Sequence, residues 1–188
     1  LDDLSGHTVS IGAKESGTER NASQILEFAG MPSSLVATKN LDYIEATKEL
    51  KAGDIDAFFC TAGLTTTVID ELSKECDIRL IPLTDTVISK MLESSSAYTS
   101  EVIPAGTYTG QTTDISTIGV KSVLITKSDV SDDTIEQLTS LLFEKENELS
   151  YSNSLKLELT YDFATGDIPI PFHKGAKRYY EDCGYSAN

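Results

Sequence analysis

The chain has 188 residues, of which 15 are Lys or Arg and 30 are Asp or Glu, so its formal net charge is −15. A surface this acidic repels phosphate backbones, which excludes sequence-independent nucleic-acid binding. No apolar run approaches the roughly 18 residues that a membrane span needs, so the chain is not expected to cross a membrane. With 39% hydrophobic and 24% charged residues, the composition is that of a folded domain.

The first two-thirds of the chain alternates strand and helix patterns. Short apolar or β-branched runs predict strands at residues 7–11, 35–37, 55–60 and 78–81. Apolar residues at helical spacing predict helices at about residues 17–29, 41–50, 65–74 and 85–93. This alternation, with short connections, predicts an α/β fold in which a parallel sheet carries helices on both faces.

The pattern changes in the rest of the chain. Residues 94–117 are rich in Ser, Thr, Gly and Tyr and are expected to form an irregular crossover, whereas residues 118–126 predict a long strand. Ser131 is expected to cap the next helix, and residues 175–183 predict a short final one. The apolar face of the helix after Ser131 is formed by Ile135, Leu138, Leu142 and Leu149.

A glycine-rich segment, Gly12–Thr18 (GAKESGT), lies between the first predicted strand and helix. Its Gly-x4-Gly spacing is that of a phosphate-binding loop, but Thr18 and Glu19 replace the Lys-Ser/Thr pair that should follow, so a nucleotide site is rejected. A loop at a helix N-terminus still offers free backbone N–H groups and the positive end of a dipole, which suits a small carboxylate. In the alternative interpretation, Ser16 or Thr18 only caps the helix.

Two further segments are candidates for ligand contact. The turn Thr61–Gly63 follows the strand at residues 55–60. Ligands of parallel sheets bind beyond the carboxyl ends of the strands, so this turn is expected to face the same crevice as the glycine-rich loop, unless it is an ordinary connection. Tyr108 and Gln111 either hydrogen-bond a ligand or fix the conformation of an irregular loop.

Support for catalysis or metal binding is weak. His7 and His173 have no sequence neighbours that suggest a catalytic triad or a metal site, and no cofactor is implied. We therefore expect a binding protein rather than an enzyme. The cysteines form no CxxC motif, and Cys60 and Cys76 are either one disulfide or two free thiols.

Several segments occur in the order found in a known family: VSIGAKESGTERNASQILEFAG, LKAGDIDAFFCTAGLTTTVIDEL, DIRLIPL, IPAGTYTGQTTDISTIGV and IPIPFHKGAKRYYEDCG. Together they resemble the TAXI-type solute-binding proteins, the extracytoplasmic receptors of one class of TRAP transporters. The resemblance implies a two-lobed, type II periplasmic-binding-protein-like fold. It also implies a small organic anion or amino acid as ligand, glutamate-like or dicarboxylate.

The resemblance carries over to particular positions. The implied ligand-binding residues are Ser16, Gly17, Thr18, Thr61, Ala62, Gly63, Thr107 and Tyr108. The first three would hold a ligand carboxylate, the next three would line the cleft, and the last two would lie near the hinge. The implied partner is a TRAP-type membrane permease, and the implied location is extracytoplasmic, either periplasmic or as a membrane-anchored lipoprotein in a Gram-positive host.

The resemblance also implies a domain organisation. Family members carry a first lobe ahead of the segment that opens this chain, and Leu1 is not an initiator methionine. We therefore expect residues 1–114 to be the second lobe, and residues 115–188 to supply a hinge return strand and C-terminal helices of the first lobe. Two other functions stay open: an enzyme acting on a small anion with the same scaffold, and a surface antigen that kept the fold without transport.

Overall fold

The structure is a computed structural model that describes residues 1–145 and 159–187. The chain divides into two compact units, Leu1–Gly119 and Val120–Asn188. After a 3-10 turn at Asp2–Leu4, the elements are β1 (Thr8–Ser10), α1 (Gly17–Phe28), β2 (Ala37–Lys39), α2 (Tyr43–Ala52), β3 (Ala57–Phe58), α3 (Thr67–Glu75), α4 (Asp85–Ser94), β4 (Tyr98–Ile103), β5 (Ile115–Val120), α5 (Asp132–Glu144), α6 (Tyr161–Thr165) and α7 (Lys174–Asp182). The assignment of residues 1–114 and 115–188 to two lobes stays a prediction.

The first unit contains a three-stranded parallel sheet in the order β2-β1-β3. In the central strand, Val9 pairs with Thr38 on one side and with Ala57 on the other, and its side chain is fully buried. A central strand buried in this way is typical of α/β proteins, in which helices cover the sheet. The predicted mixed α/β fold with a parallel sheet is confirmed.

Helix α1 packs its predicted apolar face into the core of this unit. Ala22, Ile25 and Leu26 are buried, as their spacing predicts. Ala22 and Leu26 belong to a cluster around β1, and Ile25 belongs to a second cluster with residues of α4. Because one helix contributes to both clusters, α1 is held firmly against the sheet, and so is the loop that leads into it.

Side-chain caps define the helix boundaries. The Ser16 hydroxyl accepts a hydrogen bond from Glu19 N at the start of α1. Asp42 and Glu45 form a reciprocal capping box at the start of α2, which Gly53 ends in a left-handed conformation. Ser131 caps α5 by accepting from Thr134 N, as predicted.

One predicted strand is wrong. Residues 78–81 are not a strand in the structure. Pro82 follows directly and lacks the N–H that a sheet ladder needs, so the run cannot be extended. This part of the chain still contributes to the fold, because Ile81 packs half-buried against the core and Leu83 N, just after Pro82, donates to Ser116 O.

The predicted crossover at residues 94–117 is also wrong, because it contains β4 and the start of β5, which pair as a two-stranded sheet. Strand-forming Tyr98, Val102 and Ile103 lie among Ser and Thr residues that concealed the strand pattern. The predicted strand 118–126 begins earlier and stops at Val120. No strand in the described part of the chain pairs with residues 121–126.

In the second unit, α5 and α7 pack against each other. An aromatic cluster joins them to α6, with Phe143 stacked on Tyr161 at 4.4 Å between ring centroids and Tyr161 stacked on Tyr185 at 4.8 Å. The predicted helix at 175–183 is confirmed as α7. Leu149, expected on the apolar face of α5, lies outside the described residues. Within residues 1–145 and 159–187, no helix has both the length and the apolar character required to cross a bilayer.

Candidate ligand-binding site

The loop before α1 combines a helix cap with free amides. Ser16 accepts from Glu19 N through its hydroxyl, at 3.1 Å, and from Arg20 N through its carbonyl oxygen, at 3.2 Å. Ser16 is therefore the helix cap. In the described part of the chain, no acceptor meets the N–H groups of Gly17 and Thr18. These two amides lie at the positive end of the α1 dipole, so they can donate hydrogen bonds to a small anion.

A set of hydrogen bonds fixes the shape of this loop. The Asn40 amide donates to Gly12 O at 3.0 Å and to Glu19 Oε1 at 2.8 Å. Glu15 N donates to Glu19 Oε2 at 2.5 Å, and Glu15 has a left-handed φ of 64°. Gly12 has a φ of 99°, and a Cβ at this position would lie 2.7 Å from Thr18 Cβ. The loop therefore passes closely over α1 in a conformation that only glycine accommodates at position 12.

Tyr43, at the start of α2, connects this loop to the turn after β3. Its hydroxyl lies 2.8 Å from Thr18 Oγ1, 2.9 Å from Thr61 O and 3.0 Å from Thr61 N. Thr18 is buried, with 6% of its surface exposed, whereas Thr61 is exposed. The N-terminus of α1 and the carboxyl end of β3 are thus joined by one hydroxyl at the same edge of the sheet.

The thiol of Cys60 lies next to Thr61 in sequence and interacts with two tyrosines. Burial raises the pKa of Cys60 to about 11, and the nearby Tyr43 side chain has a smaller opposing effect. Burial also raises the pKa of Tyr108, and Cys60 contributes in the same direction. Cys60 and Cys76 are both free, so the two cysteines are separate thiols in this structure and not a disulfide.

The loop between β4 and β5 contains Tyr108, and its other polar side chains form hydrogen bonds within the loop itself. The Gln111 side-chain amide donates to Ile103 O at 3.1 Å and Pro104 O at 2.9 Å, so Gln111 fixes the loop rather than pointing to a ligand. Thr107 Oγ1 donates to Pro104 O at 2.7 Å. Tyr108 is 7% exposed and interacts with the backbone at Thr66, the N-cap of α3.

A second polar group lies along α1. Asn21 Nδ2 donates to Thr61 Oγ1 at 3.4 Å, and the Tyr98 hydroxyl lies 2.9 Å from Asn21 Oδ1 and 2.8 Å from Gln24 Oε1. Tyr98 is in β4, a strand that the sequence pattern does not predict. This group extends the polar surface from Thr61 along one side of the helix.

The predicted site residues therefore fall into three sets. Thr18 and Thr61 both bind the Tyr43 hydroxyl, and Tyr108 interacts electrostatically with Cys60. Gly17, Ala62 and Gly63 are exposed on the adjoining loops, and Ser16 and Thr107 form local hydrogen bonds. Their role in binding stays a prediction. Tyr43, Asn40, Asn21 and Tyr98 also belong to this polar region but were not predicted from the sequence. The sequence does indicate that Tyr43 begins a helix, because it directly follows the N-cap Asp42. It does not indicate the hydrogen-bond partners of Tyr43, which are distant along the chain.

The described residues also include a groove and two histidines outside this polar group. A groove of about 170 Å³ lies between α2 and α3, lined partly by Tyr43 and by the paired Lys51 and Glu75. His7 pairs with Asp56 at 3.2 Å on an exposed surface. His173 caps α7 by accepting from Gly175 N. No group of three or more His, Cys, Asp or Glu in residues 1–145 and 159–187 is arranged to hold a metal ion.

A parallel α/β sheet with polar loops at the carboxyl ends of its strands, next to a helix N-terminus, is the arrangement in which open α/β proteins bind small ligands. Here it belongs to a periplasmic-binding-protein-like fold. The family follows from comparison with known proteins. A family model described as the NMT1-like family matches residues 1–184, so the chain belongs to the NMT1-like family. This is a family of solute-binding type, which implies a small-molecule ligand.

Proposed function

We propose that this chain is the ligand-binding part of an extracytoplasmic receptor that captures a small carboxylate or amino acid for uptake and does not catalyse a reaction. The observation that carries the proposal is the connection of Thr18 and Thr61 through Tyr43. It fixes a helix N-terminus with two free amides beside a polar strand-end turn, which is the arrangement that binds a carboxylate through backbone N–H groups.

The overall charge of −15 does not conflict with an anionic ligand. Charges on the surface are screened over about 8 to 10 Å at physiological salt, whereas the amides of Gly17 and Thr18 act at hydrogen-bond distance. The Glu19 carboxylate in the same turn is already paired with the Asn40 amide and Glu15 N. The Glu19 carboxylate therefore has its own partners, and the backbone amides of Gly17 and Thr18 stay available to a ligand.

The resemblance to TAXI-type receptors supports the finer part of the proposal. In that class, a two-lobed receptor closes on a glutamate-like or dicarboxylate ligand and delivers it to a TRAP-type permease. Closure of this kind is a hinge motion driven by contacts that the ligand makes with both lobes. We propose the same partner and an extracytoplasmic location for this protein.

Isothermal titration calorimetry of the full chain against L-glutamate, 2-oxoglutarate and succinate tests the function. We expect one of these acids to bind with one-to-one stoichiometry and without chemical change, as checked by mass spectrometry of the recovered acid. Turnover of an acid would show an enzyme instead. Absence of binding, with turnover also absent, would contradict the receptor function.

The variant Thr18→Ala tests the position of the site. We expect it to weaken binding about tenfold, because it removes one hydrogen bond that orders the α1 loop. Thr139→Ala is a matched control, since Thr139 is also 6% exposed and lies in α5, where its hydroxyl donates to Ile135 O. Equal affinity of the Thr18→Ala variant and the wild type would remove this loop from the site.

A further inference from the structure

The hydroxyl of Tyr43 has three partners but only one hydrogen to donate. The carbonyl oxygen of Thr61 can only accept, so Tyr43 donates its hydrogen to that oxygen at 2.9 Å. Thr61 N then donates to the tyrosine oxygen at 3.0 Å. The remaining contact, with Thr18 Oγ1 at 2.8 Å, requires Thr18 to be the donor.

This assignment determines how Thr18 can act. Its single hydroxyl hydrogen is committed to Tyr43, and the residue is 6% exposed. The hydroxyl therefore has no hydrogen left for a ligand carboxylate. Donation to an anion falls instead to the backbone amides of Gly17 and Thr18, and the Thr18 side chain orders the turn that presents them.

The connection between β2 and α2 holds the site from one side. It supplies Asn40, whose amide binds Gly12 O and Glu19, and Tyr43, whose hydroxyl binds Thr18 and Thr61. The capping box that begins α2 fixes the backbone at Tyr43 itself. Hydrogen bonds from this one short segment thus hold both loops of the candidate site in place. Because the loops are already ordered, less conformational entropy is lost when a ligand binds.

We propose that Tyr43 is a positioning residue of the binding site. It acts through Thr18 and Thr61, setting the spacing between the α1 loop and the turn after β3, rather than through contact with the ligand. This inference rests on the proposed receptor function, because the spacing has a role only if the two loops share a ligand.

The variant Tyr43→Phe removes the hydroxyl and keeps the ring that lines the groove between α2 and α3. With L-glutamate or 2-oxoglutarate as the probe, we expect about tenfold weaker binding, mainly through faster dissociation. Hydrogen exchange at the Thr61 amide should accelerate, since that amide loses its acceptor. Tyr161→Phe, which removes a hydroxyl in the second unit, should change neither the affinity nor the Thr61 exchange rate.

Variants at Thr18 separate positioning from general destabilisation. Thr18→Val removes the donor while keeping the shape, and Thr18→Ser keeps the donor, so we expect Val to weaken binding about tenfold and Ser to restore it to near the wild-type value. Combining Tyr43→Phe with Thr18→Val should cost no more than Tyr43→Phe alone, because Tyr43→Phe already breaks the contact with Thr18. Fully additive losses would contradict the proposal by showing that Thr18 contacts the ligand independently.

The outcomes distinguish this inference from the function on which it rests. If the wild type binds the probes and Tyr43→Phe binds them equally well, the positioning role is overturned and the receptor function stands. If the wild type binds neither probe nor succinate, the receptor function fails and the role of Tyr43 fails with it. Should circular dichroism show Tyr43→Phe to be unfolded, the difference between Thr18→Val and Thr18→Ser decides: a loss with Val alone supports the role, and no difference overturns it.

Discussion

Gly12 shows how one residue sets the path of the loop before α1. Its φ of 99° is disfavoured for every residue that has a Cβ. A Cβ at this position would lie 2.7 Å from Thr18 Cβ and 3.2 Å from Glu19 N. The backbone strain costs about 1–2 kcal/mol and the overpacking about 1–3 kcal/mol. We therefore expect Gly12→Ala to lower the free energy of unfolding by roughly 2–5 kcal/mol, measured by urea denaturation.

Gly30 provides the matched control for this prediction. It also has a positive φ, of 71°, but a Cβ there would meet no atom within 4 Å. Gly30→Ala should therefore show the conformational cost alone, about 1–2 kcal/mol. Equal losses for the two variants would mean that the loop moves away from Thr18 and that the close approach over α1 is not needed.

Asp56 makes the stability of the first unit depend on pH. The Thr8 N–H, at 2.8 Å, and then His7 lower the pKa of Asp56 below its usual value near 3.9. A lowered pKa in the folded state stabilises the protein above the unfolded pKa, and this contribution is lost as the pH falls through the folded value. We expect Asp56→Asn to be less stable than the wild type at pH 5–7, with the difference shrinking below about pH 4.

Urea midpoints of both proteins between pH 2.5 and 7 measure this effect. Asp54→Asn is a suitable control, because its exposed carboxylate lies close in sequence and does not pair with His7. A stability difference that stays constant down to pH 2.5 would contradict the ionic origin of the Asp56 contribution.

At the scale of elements, helices were predicted better than strands. The helix signals are local: Ser16 caps α1, Gly53 ends α2, and apolar residues recur at helical spacing. Strand formation instead depends on a partner elsewhere in the chain. The VLIT run at residues 123–126 has strong strand propensity, yet the described residues supply no partner, and Leu124 and Ile125 are 70% and 73% exposed.

The same distinction explains what was predicted of the candidate site. The glycine-rich loop and the turn after β3 were located because strand-to-helix junctions have a sequence signature. Their connection through Tyr43 was not located, because the hydroxyl reaches residues 25 and 18 positions away in sequence. Contacts of this range follow from the packing of α2 beside β3, which a single sequence does not specify.

The packing of α7 on α5 depends on Gly175. A Cβ at this position would lie 2.1 Å from Asp132 O and 2.9 Å from Glu136 N, and both of these are backbone atoms that cannot rotate away. Gly175→Ala therefore requires the helices to separate, at a cost of about 3 kcal/mol or more. In hydrogen-exchange mass spectrometry, we expect faster exchange in α5 and α7 and unchanged exchange in α1.

Lys174→Ala is the control for the separation of these helices. Lys174 neighbours Gly175 in the same turn, but its side chain is exposed, so its removal should leave the exchange of α5 unchanged. Unchanged exchange in α5 of the Gly175→Ala variant would show that the two helices adjust to the added methyl group without separating.

At the scale of the whole molecule, the charge imbalance dominates the electrostatics. With 30 acidic and 15 basic side chains, at least half of the carboxylates cannot have a cationic partner of their own. The Arg178 guanidinium, for example, already forms ion pairs with Asp133 and Glu136. Favourable pairs are thus outnumbered by repulsions between acidic groups, which destabilise the compact state.

Screening should therefore stabilise this protein. Raising NaCl from about 0.01 to 0.15 M shortens the Debye length from about 30 to 8 Å, which weakens long-range repulsion more than contacts at hydrogen-bond distance. We expect the thermal midpoint to rise over this range, as measured by circular dichroism. In Arg178→Gln the rise should be steeper, because the variant loses a salt-weakened attraction and gains net negative charge. A midpoint that falls with salt in the wild type would instead show that its ion pairs outweigh the repulsion.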